Sequence, residues 1–181
     1  MTFVSHDASS LASAEAPADR GIPWSPEAEQ SVLGAMLLDQ DAALKAAELL
    51  VDQSFHKEAH RRLFRCMVSI VEKNDVLDPV VLRDALDRSG DLEAVGGLDY
   101  VSVLLDVVPT AANVEYHARI VKDKALLRRL IDVGTEIVQA SYDGREDVGE
   151  LLDLAEHKIF EVSFQRGTQD VVRIKELMWD A

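Results

Sequence analysis

The side chains closest to a catalytic or metal-binding arrangement lie in Phe55-His56-Lys57-Glu58-Ala59-His60. Two histidines four apart on one helix could ligate a metal, but the glutamate does not directly follow the first histidine as it does in zinc proteases. The sequence offers no obvious third ligand. The plainer alternative puts His60 at the edge of a packing face and His56 in solvent. Gly96-Gly97 is followed by neither Lys-Ser nor Lys-Thr and preceded by no strand, so it reads as turn chemistry rather than a phosphate loop. No GxxxxGK[ST] occurs, which excludes nucleotide hydrolysis by a P-loop mechanism. The cluster Lys122, Lys124, Arg128 and Arg129 could touch phosphates, but Asp123 and Asp132 are interspersed, as on a solvated, ion-paired helix face.

The elements that would position these residues are helices. Ser25-Pro26-Glu27-Ala28-Glu29 is a cap, a first-turn proline and two acids at the positive end of the dipole. The helix continues through Val32, Leu33, Met36 and Leu37, with Gly34 allowing close approach of a neighbour. Further helices are expected over about 41–50 and 55–73, the latter burying Leu63, Phe64, Met67, Ile70 and Val71. Asp78-Pro79 starts another, Ser89-Gly90 stops it, and Gly96-Gly97 turns into a helix from Leu98 to Val107. From Asn113 to about Ala140 no proline intervenes, and Ile120, Leu127, Leu130, Ile131, Ile137 and Val138 form a wide apolar face. Asp143-Gly144 breaks it. Asp147 with Glu150 is a capping-box-like start to a second arm carrying Leu151, Leu152, Ala155, Ile159 and Val162. The expected class is all-α: a tail over 1–22, a bundle of short helices over 23–108, a long antiparallel hairpin over 109–165, and a linker with the start of a linker helix over 166–181. Two such arms have little else in the chain to bury against, so they should pack on each other and on another copy. Ile174, Leu177 and Met178 form one face of the last segment and would dock on a neighbour.

Composition narrows the function further. Nineteen basic against 33 acidic residues give a formal charge of −14, which disfavours a non-specific grip on nucleic acid or anionic membrane. One cysteine, Cys66, cannot form an internal disulfide, and no apolar run approaches a membrane span. The expected setting is cytoplasmic and reduced. Residue types and spacing alone therefore describe an acidic helical interaction module.

Several segments point further. Pro26 through Asp39, Phe55 through His60 with Phe64, Glu93-Ala-Val-Gly-Gly-Leu-Asp-Tyr100, Pro109 through Val121, Leu126 through Ile131, and Ala155-Glu156 with Ile159-Phe160 resemble, in order and spacing, the N-terminal domain of DnaB-type replicative DNA helicases. The resemblance covers about Ile22 to Ala181. His56 departs from it, since the family usually carries tyrosine there. The resemblance implies a collar in which N-terminal domains assemble as a trimer of dimers within a hexamer, and whose hairpin region receives the C-terminal helicase-binding domain of primase. A helicase loader is a further partner. ATP and Mg2+ would serve a RecA-like motor that does not follow in this sequence, and DNA grip would belong to that motor. No catalytic, cofactor or metal residue is assigned within the chain. Tyr100, Ile131 and Ile137 are the candidates for coupling bundle, hairpin and primase, with Leu127, Gly134 and Val138 as further interface candidates; the rival reading makes Tyr100, Ile131 and Ile137 intramolecular core. Gly134 is expected to permit close helix approach. A helical adaptor without helicase ancestry is the alternative function, and a helical DNA-binding domain would need a basic face that the charge does not offer.

Overall fold

A computed structural model of the protein describes residues 21–73, 75–144 and 147–179, with side chains through 164. Seven α-helices follow in order among the described residues: α1 (Pro26–Leu38), α2 (Gln40–Leu49), α3 (Glu58–Glu72), α4 (Pro79–Ser89), α5 (Gly97–Val107), α6 (Val114–Asp143) and α7 (Val148–Trp179). Single 3-10 turns at Asp52–Ser54 and Ala111–Asn113 precede α3 and α6. No strand occurs among the described residues, and the fold is all-α.

The local signals act as their chemistry requires. Ser25 Oγ accepts from the Ala28 amide at 3.2 Å, with Pro26 at the first helical position. Asp78 Oδ1 accepts from both Val80 and Val81 amides at 2.8 Å, again ahead of a proline. Asp39 both ends α1 and caps α2, accepting from Asp41 at 2.7 Å. Such caps satisfy amides that have no partner inside the helix.

The core lies between α1 and the helices around it, filled by Leu33, Met36, Phe55, Leu63, Met67, Leu82, Leu86 and Leu104. Gly34 lets α5 approach closely. A Cβ there would lie 2.4 Å from the Leu104 carbonyl oxygen and 2.6 Å from Val108 Cγ2. The core does not stop at residue 108. Val114, Ala118 and Val121 of α6 complete it, and Arg128 still bonds to Pro23 and Ser54, so the first half of α6 lies along the bundle and the rest projects.

At 30 residues α6 is about 45 Å long. It ends at Gly144, and α7 returns along it after Asp147 Oδ2 accepts from the Gly149 amide at 3.2 Å. Val133 and Val162 are buried in the seam, and Lys158 pairs with Glu136 across the hairpin. Over 166–181, where a linker and the start of a linker helix are expected, the α7 backbone continues helical through Trp179. That stretch has one glycine and no proline, and a glycine costs only about 1 kcal/mol in a helix interior. The tail assigned to residues 1–22 lies almost wholly outside the described residues, and so do the side chains of Ile174, Leu177 and Met178.

Candidate interaction surface

Beyond Val121, α6 has two apolar faces. One meets α7 at the seam, where Val133 is buried and Ile137 half-buried. The other carries Leu127, Ile131, Gly134 and Val138 at steps of four, three and four, which align on one side of a helix. Leu127, Ile131 and Val138 are 45%, 54% and 54% exposed, more than any intramolecular core position would allow. Leu130 is also exposed, and α7 adds Leu152, Ile159, Phe160 and Phe164, the two phenylalanine rings stacked with centroids 6.2 Å apart. Grouped exposed apolar residues of this kind mark contact surfaces, whereas scattered ones do not.

The candidate residues therefore divide. Leu127, Ile131, Gly134 and Val138 share the outer stripe, Ile137 sits towards the seam, and Tyr100 is in the bundle on α5. Among the described residues no neighbouring atom lies within 4 Å of a Cβ built at Gly134, so none of them makes the close approach expected there. The outer stripe lies on a different side of α6 from Val133, which is buried at the seam with α7.

The bundle holds a buried polar network that carries Tyr100. Glu29 and His60 are 2% and 1% exposed. Glu29 Oε2 lies 2.6 Å from His60 Nδ1, and His60 Nε2 lies 2.6 Å from the Tyr100 hydroxyl. Gln30 Nε2 donates to that hydroxyl at 3.2 Å, and the Lys57 ammonium stands 4.3 Å over the tyrosine ring. Glu29 Oε1 also accepts from the His56 amide at 2.6 Å, and Oε2 from the Lys57 amide at 3.5 Å. The N-cap of α3, Lys57, has no side-chain cap of its own, and a carboxylate from α1 instead fixes the two amides that lead into the helix. Gly96 at φ +96° and Gly97 at φ +68° make the turn that brings α5 and Tyr100 into place.

This geometry corrects the histidine readings. His60 is fully buried rather than at the edge of a face, because both ring nitrogens have partners. His56 precedes α3 rather than lying on it, half-buried with its ring 5.0 Å from that of Trp24. The two rings therefore do not share a helix face, and His60 has no lone pair left for a metal. Among the described residues no group of three His, Cys, Asp or Glu side chains could hold a metal ion. The phosphate reading of Arg128 also fails: its guanidinium donates to the carbonyls of Pro23 at 2.8 Å and Ser54 at 2.6 Å. Arg128 lines a groove of about 990 Å³ between α6 and the end of α2, with Leu50, Arg61, Leu126 and Ile131 among its walls.

Burial alone would raise the Glu29 carboxyl above its ordinary value of 4.5, but its bonds to His60 and to the His56 and Lys57 amides outweigh that and hold it lower. A depressed carboxylate contributes stability that is fully present above its unfolded value and is lost as pH falls through its folded value. Urea midpoints measured at pH 6 and pH 3.5 should therefore fall more steeply in the wild-type protein than in Glu29→Gln. Equal slopes would remove Glu29 from the acid response.

A bundle completed by the root of a long helical hairpin defines the class of protein. Residues 22–123 match the family model of the DnaB-like helicase N-terminal domain. The chain belongs to that family. It is similar to the replicative DNA helicase DnaB of Geobacillus stearothermophilus, 43% identical over 156 residues that cover 86% of this chain and 34% of the relative. The chain thus spans about a third of that helicase's length. The crystal structure of the N-terminal domain of DnaB helicase from Mycobacterium tuberculosis superposes with a TM-score of 0.74 at 41% identity, covering 77% of this chain and 98% of that one. A DnaB-like replicative helicase described with its interactions with primase shares the fold, with a TM-score of 0.63 at 20% identity over 87% of this chain and 35% of that one. No helix among the described residues is long and apolar enough to cross a membrane.

Proposed function

We propose that this domain acts in DNA replication as the collar of a replicative helicase, assembling with copies of itself through the hairpin and receiving the C-terminal helicase-binding domain of primase there. The outer stripe Leu127, Ile131, Gly134 and Val138 carries this reading, because its helix already uses a different face for α7. An apolar stripe left in water on a projecting arm gains stability only by association, at roughly 25 cal/mol per Å² removed from solvent. The primase interactions named for the helicase of the same fold support the choice of partner. In this reading dimers pair into a trimer of dimers, a loader engages the assembled collar, and the surroundings are the cytoplasmic replisome. ATP, Mg2+ and the grip on DNA belong to a motor domain. A formal charge of −14 per copy suits a collar that recruits proteins rather than clamping a phosphate backbone.

Titration with the C-terminal domain of primase separates this function from that of a generic helical adaptor. Saturable binding is expected, weakened at least about tenfold by the double substitution Leu127→Glu/Ile131→Glu, since two charges would enter a desolvated contact. Val80→Glu, at an exposed position on α4, should leave binding unchanged. No binding by the wild-type protein would contradict the assignment.

A further inference from the structure

Arg128 at the root of the hairpin and Tyr100 on α5 are joined by an unbroken line of bonds. Arg128 donates to the Ser54 carbonyl at 2.6 Å. Ser54 runs directly into Phe55 and His56, and the His56 amide donates to Glu29 at 2.6 Å. Glu29 meets His60 at 2.6 Å, and His60 meets the Tyr100 hydroxyl at 2.6 Å. The proton roles along this line are mutually complementary. Ionised Glu29 can only accept, so His60 Nδ1 donates to it; in the neutral imidazole Nε2 is then the acceptor for the Tyr100 proton, and the Tyr100 oxygen accepts from Gln30. No buried side-chain nitrogen or oxygen among the described residues lacks a partner.

We propose that Glu29 and His60 are positioning residues that make Arg128 and Tyr100 one energetic unit, so that the seating of the hairpin on the bundle and the orientation of Tyr100 are set together. A buried network is satisfied only as a whole. If Arg128 releases Ser54, the segment through His56 shifts, the amide holding Glu29 shifts with it, and the carboxylate can no longer fix the imidazole that orients Tyr100. Tyr100 borders a shallow hollow of about 410 Å³ with Lys57, Val95, Asp99 and Val103, so its orientation alters the bundle surface as well as its core. The assembly proposed above would use such a link, but the link itself does not depend on what binds the hairpin.

A double-substitution cycle in the full chain tests this. Arg128→Met keeps the aliphatic stem and removes the donors, and Tyr100→Phe removes only the hydroxyl. Measured by urea unfolding, the change in unfolding constant for the double variant should fall short of the product of the single changes by at least about threefold, whereas distant, unconnected sites multiply. Arg128→Met combined with Asp78→Ala, the cap of α4, should multiply. A second measurement stands if these variants unfold: the ¹⁵N shift of His60 Nε2 should move in Arg128→Lys relative to the wild type. A multiplicative Arg128–Tyr100 cycle, equal coupling in the Asp78 pair, or an unmoved His60 resonance would each overturn the proposal.

Discussion

Glu29→Leu should destabilise the domain by about 4 kcal/mol, a large share of the roughly 5–15 kcal/mol that holds a domain folded. The carboxylate accepts from the His56 and Lys57 amides and from His60, with the Glu29 and His60 side chains both buried. Removing it leaves the imidazole N–H and the start of α3 without their acceptor, and a lost buried acceptor costs far more than the net value of its bonds. Glu29→Gln should cost less, because an amide oxygen still accepts from one side. Circular dichroism during urea unfolding measures both. A Glu29→Leu midpoint within error of the wild type would mean that other groups hold His60 and the entry to α3.

Gly34→Leu should be comparably damaging, at about 3 kcal/mol or more, for a steric reason. Even the first side-chain atom would lie 2.4 Å from a main-chain oxygen of α5, and a helix backbone cannot step aside as a flexible side chain can. Moving α5 away from α1 would open the packing around Leu33, Met36 and Leu104, which are fully buried. Gly34→Ala meets the same oxygen but gains helix propensity of up to about 1 kcal/mol, so its net effect should be smaller. Thermal unfolding followed by tryptophan fluorescence, with Trp24 beside the bundle, reads the difference. Equal midpoints for wild type and Gly34→Leu would contradict the close approach of α1 and α5.

The sequence signals that proved accurate were local ones. Ser25-Pro26, Asp78-Pro79 and Gly96-Gly97 act within a few residues of themselves, so their chemistry can be read without knowing the fold. The outer stripe was accessible for a related reason: helical spacing shows which residues share a face, although it cannot show which face the second arm covers. Leu127, Ile131, Gly134 and Val138 differ from Ile137 only in that respect. The buried network was less accessible because Glu29 also suits the first turn of a helix, where a carboxylate complements the dipole. Its position was a clue: Glu29, Leu33 and Met36 are spaced four and three apart, which puts the carboxylate on the apolar side. Arg128 carried a similar clue. It stands seven residues beyond Val121 and fourteen beyond Val114, both buried against the bundle, so its place on the inward face was periodic even though its charge suggested solvent. The helical course of α7 through Trp179 was masked by a polar stretch whose single glycine weakens a helix without ending it.

Sedimentation of the full chain over a wide concentration range tests the central claim most directly, namely that the outer stripe of the hairpin is a surface for self-association. The wild-type protein should shift from monomer to dimer or larger species as concentration rises, and Leu127→Glu/Ile131→Glu should remain monomeric over the same range with its helical content intact. A wild-type protein that stays monomeric throughout, or a double variant that associates as the wild type does, would contradict it.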